Sequence, residues 1–377
     1  MLKITYLSDS NSDFRCLEDY LSRRKFGKLH DQDVYGAHHN VELMRRFYES
    51  VASRLGLANS KFVDSFPTTI TLPTRYESPL NYQLLHKLVE QIKNGAKFYE
   101  INTANFPYYS SIPTGLVNAQ AVNLPCSKHS FLLFDSQLFL YCHLFAKAFA
   151  LCIPVVEEGS GYRFSVDSEE IAARVEKFPE CIDRLIDLLA ALDETEMPGH
   201  AKPYIPDMAH SNLGAVFREG MELFVVAHEF GHVYADHLSS ILPRVSFPAQ
   251  SLDDNNSSHI QEYEADAIGL LLAVTAQARN GFDLALSYVG TELFFHALEM
   301  QEKFSHLMTH GTDENYVGAS SETHPSHFAR RMTLRGGLRQ FFENREDCDA
   351  ALGLAHQYEE IVNTLWQAVQ RRFLEPR

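Results

Sequence analysis

Apolar residues in the second half of the chain recur at three- and four-residue spacing. That pattern predicts helices over about 211–239, 258–280, 282–309, 325–344 and 346–373. The first half alternates shorter signals. Strands are predicted at Lys3–Leu7, Thr68–Leu72, Lys97–Ile101 and Ser130–Asp135, and helices near Val41–Leu57, Tyr82–Lys93 and Gln137–Leu151. Ile153–Val156 and Tyr162–Val166 flank Gly159-Ser160-Gly161 and read as a hairpin, followed by one helix over Ser168–Leu192. A Pro- and Gly-containing loop from Glu194 to Asp207 then divides the chain near residue 200. The expected class is α+β: an α+β region with short strands over 1–200 and a mostly helical region over 201–377.

The helix predicted over 211–239 carries the segment His228-Glu229-Phe230-Gly231-His232, an H-E-x-x-H pattern. Positions four apart share a helix face, so His228 and His232 can hold one metal ion while Glu229 stands beside the open coordination position. Leu223 to Ala227 lead in and Val233 follows, as for a helix buried in a core. Gly231 weakens such a helix by about 1 kcal/mol relative to Ala, so its presence points to the close approach of another segment.

A catalytic zinc with two His ligands needs one more protein ligand and a position for water. Gln261-Glu262-Tyr263-Glu264-Ala265-Asp266 opens the next apolar helix. Glu262 can supply the carboxylate, and Asp266, one turn on, can accept the free ring N–H of a ligating His. His259 is a rival third ligand one turn earlier, and Glu264 points elsewhere on the helix as a solvated or salt-bridged side chain.

With H-E-x-x-H followed by E-x-x-x-D thirty residues later, the chain resembles the gluzincin metallopeptidases. The Glu262-Tyr263-Glu264-Ala265-Asp266 form looks like the branch of the CAAX-type and HtpX-type peptidases and, less closely, the ImmA/IrrE-type soluble peptidases. Thr323-His324-Pro325-Ser326-His327-Phe328-Ala329-Arg330 looks like the T-H-P-x-x-x-x-R segment of that branch. Pro325 suits a first helical position there. The resemblance implies a zincin-like core, one zinc ion per chain, and a catalytic set of Glu229 with His324 or Arg330 facing the substrate or the developing oxyanion. Tyr316 and Tyr263 are further candidate donors. It also implies that strand 130–135 is the active-site edge along which an extended substrate lies, although roughly 60 residues separate its following helix from the metal helix here, a departure from the family pattern.

Composition narrows the setting. With 377 residues, 45% hydrophobic, the chain can bury a full core. A net charge of −16 leaves no broad basic surface, which excludes nucleic acid as the expected partner. The run Arg330, Arg331, Arg335, Arg339 reads as a solvated helix face. The N-terminus lacks a signal-peptide apolar region, and the long apolar stretch Leu138–Val156 contains His143, Lys147 and Pro154, so it reads as a buried helix and strand rather than a membrane span. Cys16, Cys126, Cys142, Cys152, Cys181 and Cys348 show no metal-ligand spacing and are expected as reduced thiols in a cytoplasmic protein. The expected activity is zinc-dependent hydrolysis of peptide bonds in a protein or peptide substrate, with narrow regulatory specificity. Two alternatives stay open: a catalytically silent zincin-fold binding or sensor module, and a zinc hydrolase of a non-peptide bond.

Overall fold

The computed structural model describes residues 3–23, 69–113, 116–159, 161–238, 257–314, 316–318, 320–321 and 324–374. The helix expected at Val41–Leu57 and most of the loop expected at 242–258 lie outside the described residues. Mixed helix and strand, with helix dominant, match the α+β expectation. The chain clusters into two compact units, the first formed by Met1–Leu88 with Phe106–Leu138 and the second by Val89–Asn105 with Phe139–Arg377. The sequence division near residue 200 falls inside the second unit.

In the first unit, β1 (Lys3–Tyr6) pairs in parallel with β2 (Thr69–Leu72). Between them in sequence lies α1 (Ser12–Ser22), capped by Asn11, whose side chain accepts from the Asp13 and Phe14 backbone N–H groups. Phe14, Leu17 and Leu21 share one face of α1 and pack on Ile112, Leu124, Phe131 and Leu133. Each such buried side chain contributes about 1.5–3 kcal/mol. After α2 (Pro79–Ala96) come β3 (Tyr108–Ile112), β4 (Ala119–Asn123) and β5 (Ser130–Asp135).

Three expectations are corrected here. Lys97–Tyr99 forms a short 3₁₀ turn rather than a strand, and the strand signal shifts to Tyr108–Ile112. More consequentially, β5 is the middle strand of its sheet, parallel to β3 on one side and antiparallel to β4 on the other. Its backbone donors and acceptors are committed on both sides, so residues 130–135 are not an edge that a substrate strand could extend. Cys16 and Cys126 form a disulfide, also against expectation, tying α1 to the β4–β5 connection across 110 residues of sequence. Cys142, Cys152, Cys181 and Cys348 are free and buried.

The second unit contains the helix α3 (Ser136–Cys152) and the predicted hairpin, β6 (Val155–Glu158) with β7 (Gly161–Phe164). The helix expected over 168–192 is two, α4 (Ser168–Lys177) and α5 (Glu180–Thr195). The break falls at Phe178, whose backbone leaves the helical region (φ −128°, ψ 70°), as the following Pro179 favours. Five long helices complete the unit: α6 (Met208–Tyr234), α7 (Ser257–Ala278), α8 (Leu284–His310), α9 (His327–Phe341) and α10 (Arg345–Leu374). Among the described residues, no helix is long and apolar enough to cross a membrane.

Candidate metal centre

Helix α6 starts at the Asp207 cap, whose carboxylate accepts from the His210 N–H, and is apolar on nearly every side from Met221 to Phe230. A helix of that kind must be enclosed, and α7 and α8 enclose it. Glycines set the distances. A Cβ at Gly231 would stand 2.9 Å from the Ala265 carbonyl oxygen of α7, and one at Gly269 of α7 would stand 3.0 Å from the His228 backbone. On the α8 side, Gly220 and Gly290 meet backbone to backbone. Gly231 is therefore the close-approach glycine that its position in an apolar helix suggested.

That approach lays Glu262 and Asp266 of α7 against the histidines of α6. His228 Nε2 and His232 Nε2 are 3.1 Å apart, and Glu262 lies 3.6 Å from the first through Oε2 and 3.4 Å from the second through Oε1. Ligand atoms about 2.0–2.1 Å from a tetrahedral zinc stand roughly 3.3–3.4 Å from one another. The three side chains therefore stand close to the spacing such an ion requires, Glu262 reaching each histidine through a different oxygen. His228, His232 and Glu262 also form the one His/Cys/Asp/Glu group among the described residues with ligand atoms gathered this closely.

The groups behind the ligands hold their charges. His228 Nδ1 lies 2.9 Å from Asp266 Oδ1, the contact that one-turn spacing from Glu262 allows. Arg330 of α9 donates to both Asp266 oxygens, at 2.8 and 2.6 Å, and its Nη1 is 3.2 Å from Glu262 Oε2. Burial alone would raise the Glu262 carboxyl, but the His232 hydrogen bond and the charges of Arg330 and the histidines hold it well below the ordinary carboxylate range. Asp266 is likewise held down against its burial, chiefly by Arg330. The carboxylates in turn push Arg330 further up, despite complete burial.

Glu229 is buried on α6, and its negative charge acts on both His232 and Arg330. Arg330 was expected at the substrate or oxyanion; its guanidinium instead lies among Asp266, Glu262 and the face of Phe295, 5.1 Å from the ring centre. His324 has a mostly exposed side chain and reaches Glu262 Oε1 at 3.5 Å. His259, the rival ligand, is no part of the cluster. Its Nε2 donates to the Ser321 carbonyl at 2.8 Å, and Ser321 in turn pairs with His324 through backbone and side chain, so His259 anchors the segment that presents His324. Tyr316 donates its hydroxyl to Glu302, and Tyr263 is buried on α7. Helix α9 begins at His327 with Ser326 as its cap, two residues after the expected Pro325 start.

The arginine run is corrected too. Arg330, Arg331 and Arg335 are buried, not solvated. Arg335 makes a two-pronged pair with Glu292 of α8, both bonds 2.8 Å, and a 2.6 Å bond to Glu359 of α10, while Arg331 reaches Glu299 and Glu359. Arg339 is the exposed member, on Asp349. Acids from three surrounding helices make the difference, and a charge run read along one helix does not reveal them.

Two more residues complete the surroundings: His237, which sequence reasoning did not single out, and Glu264, whose side chain is salt-bridged and buried rather than solvated. His237 Nδ1 is 3.0 Å from His232 Nδ1, and its Nε2 is 2.9 Å from Glu264 Oε2. Their side chains are 2% and 0% exposed.

No known protein family, curated protein or solved structure matches the chain.

Proposed function

We propose that the chain is a zinc-dependent metallopeptidase of gluzincin type, built on a zincin-like core, with one zinc ion held by His228, His232 and Glu262. The observation that carries this reading is the convergence of the His228, His232 and Glu262 side chains, close to the spacing a zinc ion requires, beside a buried Glu229. When bound, zinc supplies Lewis acidity toward a carbonyl oxygen and lowers the pKa of water. Glu229 takes the proton of the attacking water and delivers it to the leaving amine. His324 donates to the oxyanion of the tetrahedral intermediate, a role supported by its exposed side chain 3.5 Å from Glu262 Oε1. Arg330 keeps Glu262 and Asp266 ionised and in place. A site that served structure alone would have no use for a base at position 229, which favours hydrolysis over a silent binding module. The substrate is a protein or peptide.

The test is digestion of a mixed peptide library by the zinc-loaded full chain, read by mass spectrometry. New termini that vanish with a chelator and in Glu229→Gln support the proposal. A library left intact by wild type, or cut equally by Glu229→Gln, contradicts it. The substitution should lower the rate by about 10²–10⁴-fold while zinc stays bound.

A further inference from the structure

Helix α6 does not simply fray after the second histidine. Asp236 adopts a left-handed backbone, φ 63°, and the chain closes with His237 N–H donating to the His232 carbonyl at 2.9 Å and Asp236 N–H to the Val233 carbonyl at 3.1 Å. Those two bonds define the Schellman helix end, which folds the residue just beyond the left-handed one back over the last turn. Here the folded-back residue is His237 and the residue beneath it is His232. The side-chain contact that commonly accompanies such an end is apolar; in this chain it is imidazole to imidazole.

We infer that His237 and Glu264 are positioning residues for the metal, a relay that fixes the tautomer and ring angle of His232. The inference rests on the zinc reading above and assigns it two residues. An imidazole that presents Nε2 to a metal carries its proton on Nδ1. His232 Nδ1 then donates to His237 Nδ1, 3.0 Å away, which must be unprotonated to accept. The remaining His237 proton sits on Nε2 and is donated to Glu264 Oε2 at 2.9 Å. One proton arrangement thus satisfies every contact, and it is the arrangement that offers the lone pair of His232 to the ion. The two ligand histidines are backed differently: His228 meets the Asp266 carboxylate directly, and His232 meets that of Glu264 through an intervening ring. Glu264 sits between Glu262 and Asp266 on α7, so one helix supplies a ligand and both backing carboxylates.

The test is zinc affinity of the full chain, measured by competition with a chromophoric chelator, with fold checked by circular dichroism. Losing the relay should weaken zinc binding by about 10–100-fold in His237→Phe and in Glu264→Ala. Glu264→Gln restores an acceptor without the charge and should recover part of that loss, a rescue that a merely structural role would not give. Folded His237→Phe or Glu264→Ala binding zinc as tightly as wild type would overturn the inference while leaving the zinc reading intact. Should both fail to fold, Glu264→Gln decides: weakened binding supports the relay, and unchanged binding overturns it. Wild type that binds no zinc would sink the underlying reading, and the inference with it.

Discussion

Glu262 is the residue on which four positive or hydrogen-bonding partners converge, two from α6, one from α9 and one from the segment before α9. Its replacement by alanine should therefore do two things. Zinc affinity should collapse, read by chelator competition. Arg330, left buried with one carboxylate fewer, should destabilise the fold by roughly 3–5 kcal/mol, read by urea denaturation. A variant that kept full zinc occupancy after dialysis would contradict the ligand assignment. A second residue-scale prediction concerns Glu77 of the first unit, which accepts from Ser110 Oγ and the Ser111 N–H while fully buried. Burial pushes its carboxyl from 4.5 to about 8, against the lowering effect of those bonds. A raised folded-state pKa means the stability contribution is fully present below pH 4.5 and is lost as pH climbs toward 8. Stability should fall over that window by at most about 1.4 kcal/mol per pH unit, and Glu77→Gln should flatten the fall. At this scale the candidate ligand cluster was legible because helix geometry converts spacing in sequence into proximity. His228, His232, Glu262 and Asp266 all follow from a four-residue interval. His237 and Glu264 were not legible that way, since their contact depends on how α6 ends and on which face of α7 meets it.

Helix packing, not helix propensity, sets the geometry of the centre. Gly231 and Gly269 let α6 and α7 approach until backbone meets backbone, and any side chain there must push the helices apart. Gly231→Ala and Gly269→Ala should each destabilise by about 1–3 kcal/mol, read by chemical denaturation, and should weaken zinc binding because ligands from the two helices separate. A Gly269→Ala variant with unchanged stability and affinity would show that the interface gives way more easily than these distances indicate. The long helices and the 155–164 hairpin were readable from periodicity and turn residues. Less readable were features set by neighbours. The 168–195 stretch is interrupted where Pro179 constrains Phe178, a local rule that a continuous apolar pattern obscured. Strand 130–135 was found in place, yet its central position depends on β3 and β4, which no pattern within six residues can announce. Arg331 and Arg335 were read as solvated for the same reason: their partners lie on α8 and α10.

Across the whole chain, the Cys16–Cys126 bond is the longest-range covalent constraint found among the described residues. Closing a loop of that length removes about 4–5 kcal/mol of unfolded-state entropy in the simple chain model. Reduction should lower the melting temperature, and Cys16→Ser with Cys126→Ser should reproduce the effect without added reductant. Equal melting temperatures in both redox states would count against it. Such bonds persist in oxidising compartments, which sets this one against the sequence expectation of reduced thiols in a cytoplasmic protein. No spacing rule links two cysteines 110 residues apart; only the packing of α1 beside the β4–β5 connection does. The proposed function rests on the cluster in the second unit, and its zinc occupancy is the direct question. Elemental analysis of the purified full chain, beside His228→Ala and Glu262→Ala, answers it. About one zinc per wild-type chain and little in either variant is the expected result. Wild type without zinc after supplementation, or variants that keep it, would contradict the account.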